Sequence, residues 1–379
     1  MWSYKLIKIL SPFLSILSLV RNKNSLWVFG ARASQSFSGN SKYLYIYCQN
    51  HPDIRPVWIT KSEEVVNKLN IEGVEVYHAH SLKGAMICAR AEYVFITHTV
   101  KDVNMFSVIF SKVVQLTHGV PIKRIGWDRN RSRKSQLLKL IRDYIWGDYH
   151  CVFVSSEKVI DCFASAYHCS SEKIVPSGYP RNDVLRDPDV FSHPLVKEEF
   201  PLPFDPNEKI IAYLPTYRAF NTTPFYEKID FKKVNAILEG TQYNLLIKPH
   251  PGTSPPVIEG YENVYQTNES IDIYPHLHRF QALITDYSSI ALDYAVQNRP
   301  ILHFIYDVEE YRQNRGFYFE LEEIFPGDST TSPEGLTKWT QEITKSKCID
   351  DRQRYHSEFV RQEGLACESI INQLQKSNR

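Results

Sequence analysis

Short apolar runs punctuate the chain, and stretches of helical periodicity fill the gaps between them. The runs are Ser25 to Phe29, Val57 to Thr60, Tyr93 to Thr97, Val113 to Leu116, Val152 to Val154, Ile210 to Leu214, Asn244 to Ile247, Ala282 to Ile284 and Pro300 to Phe304. Such alternation predicts parallel sheets with helices on their faces. At 379 residues the chain exceeds the size at which a single core stops growing, so two domains are expected. Pro180, Pro188, Pro194, Pro201, Pro203 and Pro206 crowd the interval from Tyr179 to Asn207, which marks the boundary.

The pattern therefore predicts an α/β domain over 25–178, a hinge over 179–207 and a second α/β domain over 208–349. A C-terminal helix over 350–379 is free to cross back onto the first domain. Two doubly wound, Rossmann-like parallel-sheet domains facing a cleft make a GT-B-like architecture. The first 24 residues differ. Trp2, Leu6, Ile9, Phe13, Leu17 and Val20 recur at helical spacing, with Lys8, Ser11, Ser15 and Ser18 on another face. The apolar stretch is shorter than the roughly 20 residues that span a bilayer, and Arg21-Asn22-Lys23-Asn24 replaces a cleavage site. It reads as an interfacial helix lying on a membrane surface; a first helix packed on its own domain, despite Pro12, is the alternative.

Composition adds little to this picture and excludes several classes. Hydrophobic residues at 43% and charged residues at 23% suit a folded enzyme. A formal net charge of +1 gives no reason to expect a nucleic-acid partner. Seven cysteines without a CxxC pair point to reduced thiols rather than a disulfide framework or zinc site.

In open α/β sheets ligands sit beyond the carboxyl ends of the strands. Four predicted strands lead into Thr117-His118-Gly119-Val120-Pro121, Pro215-Thr216-Tyr217-Arg218, Lys248-Pro249-His250-Pro251 and Thr285-Asp286-Tyr287-Ser288-Ser289. A histidine after a strand can simply cap or pack. His118, however, is followed by Gly119, which admits a close ligand, by Pro121, which stiffens the turn, and by Lys123-Arg124. It is the candidate general base. Ser288 and Ser289 open a helix, as an ordinary N-cap or as an anion site. Asp293 shares their face and suits a hydroxyl or nucleoside rather than a phosphate.

No GxGxxG follows a strand, and neither GxxxxGK[ST] nor GxSxG occurs. Asp187-Pro188-Asp189 lies in the proline-rich stretch, and His78, His80, His276 and His278 lack the company a metal needs, so no metal is expected. Lys123, Arg124, Arg129, Arg131, Arg133 and Lys134 crowd one stretch. That run is either a solvated face or a surface for anionic headgroups or a phosphate-bearing acceptor, at about 1 kcal/mol per cation.

Leu116-Thr117-His118-Gly119-Val120-Pro121-Ile122-Lys123-Arg124-Ile125-Gly126, Gly178-Tyr179-Pro180-Arg181-Asn182-Asp183, Leu214-Pro215-Thr216-Tyr217-Arg218 and Lys248-Pro249-His250-Pro251 together resemble signatures of the CDP-glycerol glycerophosphotransferase family. So does the stretch from Ile284-Thr285-Asp286-Tyr287-Ser288-Ser289 through Asp293 and Tyr306-Asp307 to Arg315-Gly316-Phe317-Tyr318-Phe319. The resemblance implies two essential histidines, matching His118 and His250, and donor contacts at Thr216, Arg218, Ser288, Ser289 and Asp293. Lys248 and the His118 neighbours Thr117, Gly119 and Pro121 join the expected donor-binding set.

The implied reaction moves glycerol phosphate from CDP-glycerol, held mainly by the second domain, to a lipid-linked or glycan acceptor on the side of the first. CMP leaves, no cofactor is required, and the polymer is teichoic acid or capsule. The expected location is peripheral, on the cytoplasmic face of the membrane, against its anionic surface. Alternatives are a CDP-ribitol or other CDP-polyol donor, a nucleotide-sugar glycosyltransferase, and a non-catalytic scaffold of envelope assembly.

Overall fold

The computed structural model describes residues 25–109, 111–129, 149–187, 191, 193–196, 208–218, 224–250, 257–269, 271–344, 358–360 and 364–376. The expected N-terminal interfacial helix, and Arg131, Arg133 and Lys134 of the basic run, lie outside these residues. The described chain divides into two compact units. The first takes the described residues of Met1–Gly119, Ser132–Glu198 and Arg361–Arg379; the second takes those of Val120–Arg131 and Glu199–Val360.

The first unit is a parallel sheet of β1 (Leu26–Phe29), β2 (Arg55–Thr60), β3 (Val76–His78), β4 (Tyr93–Ile96), β5 (Lys112–Gln115), β6 (Cys151–Val154) and β7 (Ile174–Pro176), in the order β3-β2-β1-β4-β5-β6-β7. Its central strands are apolar at consecutive positions because both faces are covered: every residue of β1 and β4 is buried. Helices α1 (Gly39–Gln49), α2 (Glu63–Ile71), α3 (Leu82–Arg90), α4 (Ile160–Tyr167) and α5 (Pro180–Asp183) follow β1, β2, β3, β6 and β7. Ser62 and Ser81 cap α2 and α3, accepting from Val65 N and Gly84 N. Phe29 stacks on Phe95 at 4.6 Å across the β1–β4 pair.

The second unit is also parallel. β8 (Lys209–Tyr213), β9 (Tyr243–Ile247), β10 (Val264–Gln266), β11 (Phe280–Thr285), β12 (Ile301–Phe304) and β13 (Asp328–Thr330) run in the order β10-β9-β8-β11-β12-β13. Helices α6 (Phe231–Leu238), α7 (Ile290–Tyr294), α8 (Val308–Arg315), α9 (Leu321–Ile324) and α10 (Pro333–Ile343) accompany them. Val234 and Leu238 of α6 and Leu336 and Trp339 of α10 bury their apolar faces against Ile211, Leu245, Ile284 and Leu302.

Two excursions depart from the simple order of domains. The single domain expected over 25–178 is interrupted, because Val120–Arg131 groups with the second unit. There Lys123 forms an antiparallel bridge with Phe317, Arg124 N donates to Gly316 O at 3.1 Å and Tyr318 N donates to Ile122 O at 3.1 Å. We term this segment the strap. The last helix, α11 (Ala366–Lys376), belongs to the first unit, where the Asp183 carboxylate accepts from Ala366 N and Cys367 N, both at 2.9 Å. Among the described residues no helix is long and apolar enough to cross a membrane.

Candidate active site

The strand orders fix where ligands can approach. Each sheet reverses its winding direction at one pair of central strands, β1 and β4 in the first unit and β8 and β11 in the second. Crevices in doubly wound sheets open beyond the carboxyl ends of such a pair. The candidate residues are built around these two points.

In the second unit β8 leads into Thr216 and Arg218, and β11 into Asp286. Arg218 Nη1 donates to Asp286 Oδ2 at 2.7 Å and to Thr216 Oγ1 at 2.7 Å, while Nε and Nη2 clasp Asp307 at 2.7 and 3.1 Å. Tyr287 Oη donates to Asp307 Oδ1 at 3.0 Å, and Asp286 also accepts from Thr216 N at 3.0 Å. Rings of Tyr287, Tyr306 and Tyr311 lie 5.1–5.5 Å from the guanidinium. Burial alone would raise Asp286, but Arg218 and the Thr216 N–H outweigh it and hold the carboxyl below its ordinary range. Arg218 is therefore a hub that shapes the Thr216 loop, with most of its donors already engaged by the protein.

Lys123, from the strap, comes to the same cluster. Its ammonium lies 5.9 Å from the Tyr311 ring centroid. Desolvation pushes it down to about 8, with Asp286 opposing that shift and Arg315 and Arg218 adding to it. Lys123 is thus half-buried against Tyr311, whereas Arg124 is exposed. Arg124 and Arg312 line a cavity of about 360 Å³ with Gly316, Phe317, Tyr318, Phe319 and Glu320. Arg312 pairs there with Glu320 at 3.3 Å. Arg129 is half-buried in the strap.

The other expected donor residues occupy the same strand ends. Lys248 is nearly buried after β9 and its ammonium donates to Glu269 O at 2.9 Å. His250 is half-buried, its ring centroid 5.8 Å from that of Tyr217. Ser288 and Ser289 precede α7; Ser289 makes no side-chain cap bond, so its hydroxyl is not committed to the helix. Asp293 is fully buried and accepts from Tyr274 Oη at 2.7 Å, which gives it a structural partner.

In the first unit β5 leads into the loop of Thr117, His118 and Gly119. Thr117 (φ 54°) and Gly119 (φ 137°) both sit in left-handed backbone; for Gly119 the absence of a Cβ makes this inexpensive. Asn40 Nδ2 donates to the carbonyls of Leu116 and Thr117 at 2.9 and 3.1 Å, and Arg181 Nη1 donates to His118 O at 2.8 Å. Pro121, buried, begins the strap. His118 Nδ1 lies 3.2 Å from Thr97 O. A carbonyl only accepts, so Nδ1 carries the proton and Nε2 keeps its lone pair. Desolvation and then the neighbouring His98 ring hold His118 below the usual imidazole range, although the residue keeps an exposed surface. A neutral imidazole whose Nε2 keeps its lone pair is equipped to accept a proton.

Sequence reasoning passed over the residues that position these groups. Asp102, fully buried, accepts from Ala33 N at 2.7 Å, Thr97 N at 2.9 Å and His98 N at 2.8 Å, tying the ends of β1 and β4 together. His98, Asn40, Arg181 and Asp307 were also missed as participants. His98 had one available signal: it stands just past a predicted strand, as His118 does.

Comparison with known proteins places the chain among relatives. A sequence model of the CDP-Glycerol:Poly(glycerophosphate) glycerophosphotransferase family matches residues 13–375. The teichoic acid glycerol-phosphate transferase of Staphylococcus aureus is 27% identical over 384 residues, covering 95% of each chain. The teichoic acid poly(glycerol phosphate) polymerase of Staphylococcus epidermidis is 29% identical over 339 residues, 84% of this chain and 45% of that protein. A solved structure of a histidine-to-alanine variant of the wall teichoic acid polymerase TagF superposes with a TM-score of 0.77 at 25% identity, over 98% of this chain and 93% of that one.

Proposed function

The chain belongs to the CDP-glycerol:poly(glycerophosphate) glycerophosphotransferase family, and from that premise we propose that it transfers glycerol phosphate from CDP-glycerol to an acceptor hydroxyl. The single observation that carries this reading is the state of His118: Nδ1 held by the Thr97 carbonyl, Nε2 free. In the reaction the acceptor oxygen bonds to the phosphorus that bears glycerol. Its proton passes to His118 Nε2, the bond from that phosphorus to the CMP oxygen breaks, and CMP leaves. Proton acceptance of this kind contributes about 10²–10⁴-fold.

The second unit binds the donor. Thr216, Lys248, His250, Ser288 and Ser289 stand at the ends of β8, β9 and β11, the position at which doubly wound sheets receive nucleotides. His250 and Lys248 meet the diphosphate charge, while Asp293, expected as a donor contact, is buried against Tyr274 and acts from behind. Arg218 and Lys123 act from behind, Arg218 by fixing the Thr216 loop and Lys123 by placing a positive charge near Asp286. The acceptor is lipid-linked or glycan, and the protein works peripherally at the cytoplasmic face of a membrane. The exposed Arg124 beside Arg312 suits an anionic headgroup or an acceptor phosphate.

Parallel incubation with CDP-glycerol, CDP-ribitol and UDP-sugars, following nucleotide release, tests the donor. Release of CMP from CDP-glycerol well above the others is expected. Preference for CDP-ribitol would move the substrate assignment within the same chemistry, and preference for a UDP-sugar would overturn it.

A further inference from the structure

The loop after β4 holds a second imidazole for which the proposed reaction has no role. His98 stacks on His118 face to face, ring centroids 4.3 Å apart and planes inclined by 9°. The hydrogen bonds settle both protonation patterns. Thr97 Oγ1 donates to Asp102 Oδ2 at 3.3 Å and so accepts from His98 Nδ1 at 2.9 Å. Each ring then carries its proton on Nδ1 and a lone pair on Nε2. Thr97 serves both, its hydroxyl holding His98 and its carbonyl holding His118. Asp102 anchors the turn through the Thr97 and His98 main-chain N–H groups.

We propose that His98 is a positioning residue, one that fixes the plane of the His118 ring and keeps that ring neutral until it meets the acceptor proton. The inference rests on the reading of His118 as the general base. Two imidazolium ions cannot occupy adjacent planes at this separation without strong repulsion, so protonation of one opposes protonation of the other. The charged groups facing the pair divide. Arg181, bonded to His118 O, and Arg32, near His98, disfavour added positive charge. Asp102, whose Oδ2 is 3.9 Å from His98 Nδ1, favours it, but three main-chain donors already draw on that carboxylate. The stack also covers one face of His118 and withdraws it from water, which acts in the same direction as the repulsion. The outcome is a base that stays ready in mildly acidic medium, with its Nε2 held in one orientation.

The test uses His98→Asn, which removes both the stack and the titratable group, and His98→Phe, which keeps a stacked ring without a titratable group. The titration of His118 is followed by NMR of the imidazole C–H signal without substrate, and the acid limb of kcat/KM for CMP release is measured alongside. The His118 midpoint should rise by about one pH unit or more in His98→Asn and by less in His98→Phe, with the acid limb moving equally. Identical His118 midpoints in all three proteins would overturn the proposal. So would a larger rise in His98→Phe than in His98→Asn. A wild-type protein that releases no CMP counts against the transferase reading alone, since the titration is read without turnover.

Discussion

Replacing Arg218 by methionine separates a structural guanidinium from a substrate-facing one. The side chain is 11% exposed and sits between the carboxylates of Asp286 and Asp307, themselves 1% and 5% exposed. Methionine keeps apolar bulk beside Tyr287, Tyr306 and Tyr311 but leaves two buried carboxylates without their shared counter-charge. Removing one partner of a buried pair costs about 3–5 kcal/mol. In a domain of this size each kcal/mol lowers Tm by about 2–4 °C, so a fall of about 6–20 °C is expected. The pH dependence gives a second reading. Asp286 is held below its ordinary range in the wild type, so the stability it contributes is present above the unfolded carboxylate value near ~3.9 and disappears as pH falls through the folded value. In the variant the unpaired carboxylate rises instead, and its protonation relieves the strain. The stability gap between the two proteins should therefore narrow from pH 7 to pH 5. Urea or thermal denaturation at both values, with CDP-glycerol titrated separately, measures this. Wild-type stability combined with a large rise in KM for CDP-glycerol would refute the structural role and restore Arg218 as a direct donor contact.

Three further changes probe other parts of the fold. Gly30→Ala would place a Cβ against the main-chain oxygen of Asp102 and 2.8 Å from Val103 Cγ1; the unfolding free energy from urea denaturation should fall by about 1–3 kcal/mol or the chain should not fold, and an unchanged free energy would contradict the close approach. Asp183→Ala removes the acceptor for Ala366 N and Cys367 N, so amide exchange across Ala366–Lys376 should speed up with a loss of about 1–2 kcal/mol. Lys123→Met tests the depressed ammonium: because the folded value lies near 8, below the unfolded value of roughly 10.4, the unfolded chain binds more protons between them and wild-type stability should rise with pH across that window. The variant should show a flatter profile, and equal slopes would refute the burial of the charge.

The central fold was legible because its signal is local. All nine apolar runs correspond to strands, and every one of those strands is covered enough to write a continuous hydrophobic stretch. The strands that no run announced are β3, β7, β10 and β13, each three residues long and each at an edge of its sheet. An edge strand is half-exposed and its pairing is supplied by one neighbour, so it leaves little hydrophobic pattern. Long-range pairing was equally hidden. The strap joins the second unit because Ile122 and Arg124 pair with Tyr318 and Gly316, almost two hundred positions away, as no local periodicity can encode. Arg218 reads in the sequence as a donor contact, and its engagement within the protein was hidden because Asp307, its bidentate partner, stands 89 residues downstream. Among the candidate residues, His118 and Thr216 stand out by motif position alone, while His98 and Asp102 became visible only when β1 and β4 were seen side by side.

The proton-accepting role of His118 is tested most directly by single-turnover assay of His118→Ala with CDP-glycerol and a glycerol-phosphate-capped synthetic acceptor, beside calorimetric binding of CDP-glycerol to the same protein. CMP release and acceptor elongation should fall by at least about 10²-fold, with donor affinity within a few-fold of wild type. Elongation at the wild-type rate would remove His118 from the chemistry, and loss of donor binding equal to the loss of rate would make it a donor ligand instead.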